Sequence, residues 1–238
     1  MAAEHSCILH IHTSETRKEV ADCHAEHGMY PVEYLDSIGY FQSADDGGTV
    51  CAHCGWVTKK EMRILAGHEA HAVHCPNSNQ KLACGGTMSY PAMREAGVDV
   101  RLGTDGAASN NSLDMFAEMH QAAMLAKGVA GDPSVVPAYQ ALQMATINAA
   151  KSLGIDSVTG SLEIGKAADI IAIDLSDIET QPFYDLPSQL VYATGRDKVS
   201  DVWVAGKQLL KQRQLTTMNT QHITAQAQQW ATKIRSVS

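Results

Sequence analysis

Cys7-Ile8-Leu9-His10-Ile11-His12 runs directly into Thr13-Ser14-Glu15 and a polar segment that stops at Gly28, and the reading of this stretch decides the fold. A short apolar run interrupted by histidines predicts a strand over residues 7–11. The segment 15–27, closed by Gly28, predicts a helix. The same unit then recurs along the chain. Pro31 opens a second short helix, a strand is predicted over residues 49–52, and a helix over 58–69 follows it. A third strand over 72–75 precedes a short helix over 91–96. A fourth over 98–102 precedes a longer helix over 113–127. Strand-then-helix alternation of this kind requires parallel pairing through right-handed crossovers, so this half of the chain is α/β.

Apolar residues at 138, 142, 145, 149 and 153 keep close to helical spacing and predict one helix over 138–153. Beyond Gly154 the texture changes. Strands are predicted over 168–173 and 199–204, Gly206-Lys207 reads as a hairpin turn, and a Gln-rich helix over about 219–234 closes the chain. Residues beyond about 155 are therefore expected to form a small β-rich appendage, closed by a helix, rather than more α/β units.

The chain has 238 residues, with 18 Lys plus Arg against 26 Asp plus Glu and a formal charge of −8. That acidic balance, without a basic cluster, argues against nucleic acid as a partner. No apolar run approaches the ~18 residues of a membrane span. The opening residues lack the basic region of a signal peptide, so a cytoplasmic protein is expected. Six cysteines in a chain this long do not suggest a disulfide framework. Histidine is more telling: nine of the 11 precede residue 75, which raises metal chemistry before any motif is read.

In a parallel α/β sheet, ligands bind beyond the carboxyl ends of the strands. Here the four predicted strands end at His12, at His53, at His74 with Asn77 and Asn79 behind it, and at Asp105. His10 and His12 project to one face of a strand and could chelate together. Glu15 lies just past the strand end, within reach of a substrate beside a metal held by His12. Read locally, however, the stretch favours a capped helix start, with Ser14 as the N-cap. Asp105, in Leu102-Gly103-Thr104-Asp105-Gly106, could bind a metal or accept a proton from water, and an Asx-type turn fits the same residues. Ser109-Asn110-Asn111 could line a pocket or cap the following helix. A rival zinc module would use Cys51, Cys54, His71 and His74. It is disfavoured because 16 residues separate Cys54 from His71, where a finger expects ~12, and the histidines are too close together.

Together the segments resemble the amidohydrolase superfamily, in the branch of the 5′-methylthioadenosine/S-adenosylhomocysteine deaminases and the triazine hydrolases. The likeness is carried by His10-Ile-His-Thr-Ser-Glu-Thr16, Ala52-His53-Cys54, His74-Cys-Pro-Asn-Ser-Asn79 with Lys81-Leu82-Ala83, Leu102-Gly-Thr-Asp-Gly-Ala-Ala-Ser-Asn-Asn111 with Glu118, and Gly160-Ser-Leu-Glu-Ile-Gly-Lys-Ala-Ala-Asp169. The resemblance implies the C-terminal half of a metal-dependent-hydrolase (β/α)8 barrel, strands five to eight, with a small β-sandwich portion and a C-terminal helix. It implies Zn2+, or another divalent metal such as Fe2+, held by His12 and Asp105. Glu15 is then the acid that protonates a purine ring nitrogen, His53 orients the attacking water, Asp105 takes the water proton, and Ser109 contacts substrate together with Glu15. The implied substrate is a small purine nucleoside, with triazine chlorohydrolase or guanine deaminase chemistry as the alternative within the superfamily. A non-catalytic α/β binding module is the alternative outside it. The family's first-strand His-x-His pair has no counterpart here. The isolated chain is therefore expected to bind zinc weakly, to turn over little, and to need the N-terminal half or homo-oligomer contacts. Half a barrel should also leave two open strand edges and an apolar inner face.

Overall fold

The structure, a computed structural model, describes residues 5, 7–43 and 48–236. The opening residues 1–4 and 6, read above for a leader, lie outside the described residues. Four strands form the first sheet: β1 (Leu9–Thr13), β2 (Thr49–His53), β3 (His71–His74) and β4 (Val100–Leu102). They pair in parallel in the order β1-β2-β3-β4, with Thr13 opposite His53 and His74 opposite Leu102. The chain alternation predicted this order, since each crossover returns through a helix.

The crossovers are α1 (Arg17–His27) with α2 (Pro31–Ser37), α3 (Lys59–Gly67), and α4 (Pro76–Lys81) with α5 (Tyr90–Glu95). After β4 come α6 (Ala107–Asn110), α7 (Met115–Ala130), α8 (Ala138–Ala145) and α9 (Ile147–Ser152). One face of the sheet and these helices enclose a core that includes Leu35, Leu65, Met93, Val100 and Met119. Two carboxylates are built into it. Glu61 on α3 is buried, caps its own helix at Thr58, and accepts the Val32 amide at the start of α2 at 3.0 Å.

The single helix predicted over 138–153 is two helices. Thr146 leaves helical geometry at φ −126° and ψ −100°, and its hydroxyl donates to the Leu142 carbonyl at 2.6 Å. A threonine that bonds its own preceding turn competes with the ladder, which periodicity does not register. Both end strands, β1 and β4, lack a strand partner on their outer edge among the described residues, as expected. β4 is buried, with α7, α8 and α9 packed against it, whereas β1 exposes His10 and His12 rather than apolar residues.

The second sheet is antiparallel, in the order β5 (Ile170–Ile173), β6 (Val199–Val204), β7 (Lys207–Lys211) and β8 (Gln214–Leu215). Its hairpin turns on Ala205 and Gly206, both left-handed at φ 48° and 76°. That pair gives the primed turn whose twist suits adjacent strands, one residue earlier than predicted. A short helix, α10 (Leu186–Tyr192), crosses between β5 and β6 and packs on α7 and α8. The closing helix α11 (Thr220–Arg235) has no buried residue. Among the described residues, no helix is long and apolar enough to cross a membrane.

Candidate metal and catalytic site

The carboxyl ends of the four parallel strands carry the site, and the backbone there departs from regular geometry. Ser14, His53, Cys54 and Asp105 all adopt left-handed conformations, with φ 51°, 73°, 45° and 57°. Such conformations cost non-glycine residues of order 1 kcal/mol or more, and they persist where surrounding contacts over-determine them. After β1 the contacts come from Glu19. Its carboxylate accepts the Ser14 and Glu15 amides at 2.7 Å each. It also forms the capping box with Thr16. Thr16, not Ser14, is therefore the N-cap, because the chain needs two more residues to turn from the strand into α1.

That turn directs Glu15 toward His53. Glu15 Oε2 lies 3.8 Å from His53 Nε2, and the same nitrogen lies 3.2 Å from His12 Nδ1. His12, Glu15 and His53 each offer a ligand atom, all within 4.8 Å of one another, and no other three-residue donor group among the described residues is so close. His53 is fully buried, and its Nδ1 donates to Asn79 Oδ1 at 2.7 Å. That bond puts the ring proton on Nδ1 and leaves the Nε2 lone pair facing the cluster, as metal-site and proton-accepting histidines require. Two imidazoles and a carboxylate form the donor set of a catalytic zinc site, so these residues fit such an ion.

Asp105 stands outside this three-donor cluster but within the electrostatic reach of His53. Burial pushes its carboxyl up, and the Ser109 and Ser78 hydroxyls, the Gly106 amide and His53 outweigh it, bringing it down to about 2. Both hydroxyls donate to the same oxygen, Oδ2, at 2.6 Å. Ser109, expected on the substrate side, thus spends its hydroxyl on Asp105 here.

The Cys51, Cys54, His71 and His74 module is not assembled among the described residues. Both thiols are free and buried, and Cys54 donates weakly to the Cys51 carbonyl instead. His74 is buried outside the donor cluster, and burial, with a smaller effect of His53, holds it down to about 4. The unfolded chain takes up this proton as the pH falls past about 6.5, whereas folded His74 stays neutral until about 4. Stability should therefore fall across that window by up to about 3 kcal/mol. Urea midpoints between about pH 7 and about pH 4 measure the loss, and His74→Asn should flatten that part of the profile.

Sequence reasoning did not give roles to Asn79, Ser78 and Cys84. Asn79 and Ser78 sit on α4, just past the end of β3, and that placement was the available signal. Cys84 is buried, its thiol donates to Glu15 Oε1 at 3.5 Å, and nothing in its neighbouring residues announces this. The described cavities do not enclose the site. One of about 420 Å3 between α9 and β5 contains none of its residues, and one of about 380 Å3 beside β1 reaches only His12.

Comparison with known proteins accords with this geometry. A 5-methylthioadenosine/S-adenosylhomocysteine deaminase from Teredinibacter turnerae is 46% identical over 226 residues, covering 95% of this chain and 50% of the relative. The crystal structure of an adenosine deaminase from Xanthomonas campestris with bound zinc superposes with a TM-score of 0.93 at 43% identity, covering 99% of this chain and 52% of that one. An atrazine chlorohydrolase from Arthrobacter aurescens complexed with zinc gives a TM-score of 0.86 at 24% identity over 95% of this chain and 49% of that one, a likeness of fold alone. The chain spans about half the length of the curated relatives it matches. The family model described as "Amidohydrolase family" matches residues 1–209. With four parallel βα units, half of an eight-unit barrel, and strand ends that gather imidazoles and carboxylates, the chain belongs to the amidohydrolase family.

Proposed function

We propose that this chain supplies part of the active site of a zinc-dependent aminohydrolase that deaminates adenine nucleosides of the 5′-methylthioadenosine/S-adenosylhomocysteine kind. The observation that carries the reading is the convergence of His12, Glu15 and His53 at one end of the parallel sheet, with Asp105 held past the end of β4 by Ser78 and Ser109. In this reading strands β1 to β4 are the fifth to eighth of the barrel, residues 1–155 form the partial barrel, 156–214 belong to a sandwich portion, and 215–238 form a helical end.

His12 and Asp105 would hold the metal, which when bound makes water acidic enough to attack near neutral pH, its pKa lowered to ~7. His53 accepts from that water through Nε2, because Asn79 keeps the ring proton on the other nitrogen. Glu15 donates a proton to the purine ring nitrogen as the C6–O bond forms. Asp105 takes one proton from the water and passes it to the departing amine as the C6–N bond breaks, so that ammonia leaves, and the remaining hydroxyl proton returns to Glu15 as the C6 carbonyl forms. Ser109 steadies Asp105 and faces the substrate side.

The two ligands proposed here, His12 and Asp105, fall short of the three that catalytic zinc takes from protein. The activity therefore requires a second polypeptide segment or subunit to complete the barrel. The test compares the purified chain with the chain co-expressed with the N-terminal half of the Teredinibacter turnerae relative. Zinc content and ultraviolet loss of adenine are measured on both. The chain alone should bind zinc weakly and turn over little, and the pair should gain both. His12→Ala should cost at least about tenfold in metal affinity, since losing even a supporting residue costs 10–100-fold. Stoichiometric zinc and rapid deamination by the chain alone would refute the need for a partner. A zinc-loaded pair inert toward adenine nucleosides would refute the substrate.

A further inference from the structure

Glu118 on α7 is fully buried and is a carboxylate for which the proposed chemistry has no use. No ion pair joins it among the described residues, and a buried charge without one is costly unless hydrogen bonds replace the lost water. Three donors do so. Its Oε1 accepts from Asn77 Nδ2 at 2.9 Å and from Asn110 Nδ2 at 2.6 Å, and its Oε2 accepts the Asn77 backbone amide at 3.3 Å.

The identity of those donors gives the arrangement its meaning. Asn77 precedes Ser78, and Asn110 follows Ser109, and these are the two serines whose hydroxyls meet on Asp105 Oδ2. Asn110 Nδ2 also reaches the Thr104 carbonyl at 2.7 Å, on the residue just before Asp105. One carboxylate thus grips both arms that hold Asp105, from α4 on one side and α6 on the other. Asp105 needs such holding, because its left-handed backbone is a conformation that only surrounding contacts maintain.

We propose that Glu118 is a positioning residue that clamps the Asn77-Ser78 and Ser109-Asn110 pairs, so that two hydroxyls converge on Asp105 and fix the rotation of its carboxylate. The value of that placement to the reaction rests on the role given to Asp105 above, but the clamp itself does not. A glutamine at 118 would keep one acceptor oxygen and turn an amide donor toward asparagine donors, which breaks the arrangement with little change in volume.

Hydrogen exchange of the full chain, read by mass spectrometry, tests this. Glu118→Gln should speed exchange in peptides covering residues 75–81 and 103–111 by about tenfold, the equivalent of one lost hydrogen bond, and leave β2 and α3 unchanged. Combining it with Asn77→Asp reverses donor and acceptor and should restore protection around 75–81. Asn110→Ala, which cuts one arm only, should act on 103–111 alone and serves if Glu118→Gln does not fold. An unchanged 103–111 segment, or faster exchange spread evenly over the chain without rescue by Asn77→Asp, would overturn the clamp. Cobalt(II) titration of the same variants separates the two ideas. Local loosening with a loss of cobalt affinity supports both, and local loosening with unaltered affinity upholds the clamp while removing Asp105 from the metal.

Discussion

Glu15→Gln in the completed barrel is expected to lower turnover of 5′-methylthioadenosine by about 10²–10⁴-fold, the range a positioned acid contributes. The amide keeps the shape of the carboxylate but has no proton to give the ring nitrogen. Zinc content should change little, because the ligands proposed here are His12 and Asp105. The two measurements together discriminate between roles. A large fall in rate at constant zinc identifies Glu15 as the proton donor. A parallel fall in zinc would make it a ligand, a role that its place in the donor cluster with His12 and His53 also permits. Cys84→Ala should leave zinc content intact too, since its thiol touches only the outer oxygen of Glu15.

Glu61→Ala should lower stability by about 3 kcal/mol, the largest effect expected of a single change far from the site. The carboxylate accepts Val32 N at 3.0 Å in the interior, and Thr58 N at 2.8 Å and the Thr58 hydroxyl at 2.9 Å in a half-buried position. Removing it strands one buried and one half-buried amide, each losing a charge-assisted bond worth up to about 2 kcal/mol, and frees the starts of α2 and α3 together. Urea unfolding measures this as a shift in midpoint at constant slope. Glu61→Gln keeps one acceptor and should lose about half as much. An alanine variant within about 1 kcal/mol of the parent would show that water replaces the carboxylate and that the helix starts are not coupled.

The parallel sheet and its order were legible in the sequence because each strand was a short apolar run with a helix signal behind it. The placement of His12, His53 and Asp105 at strand ends followed from the same pattern. What the pattern did not carry was set by side chains bonding the backbone. Thr146 splits a helix that apolar spacing joins, and Glu19 moves the start of α1 from Ser14 to Thr16. The approach of His53 to His12 is likewise a backbone effect. The register sets His12 beside Ala52, so a regular strand would put His53 on the opposite face, yet at its left-handed backbone the two ring centroids are 4.6 Å apart. The burial of β4 under α7, α8 and α9 was likewise invisible, since it depends on helices brought in from far along the chain. Asn79 and Glu118 stood among the residues that carry the likeness but received no role, because their value lies in partners 26 and 41 residues away.

The left-handed backbones at Ser14, His53 and Asp105 limit how the protein can be improved. Glycine would relieve each of them and, judged on backbone energy alone, is the substitution that selection for heat resistance would favour. At His53 and Asp105 it would also erase an imidazole and a carboxylate. Robustness and chemistry therefore compete for the same two positions, and a hardier descendant of this chain must gain its margin elsewhere, in the helices and the second sheet.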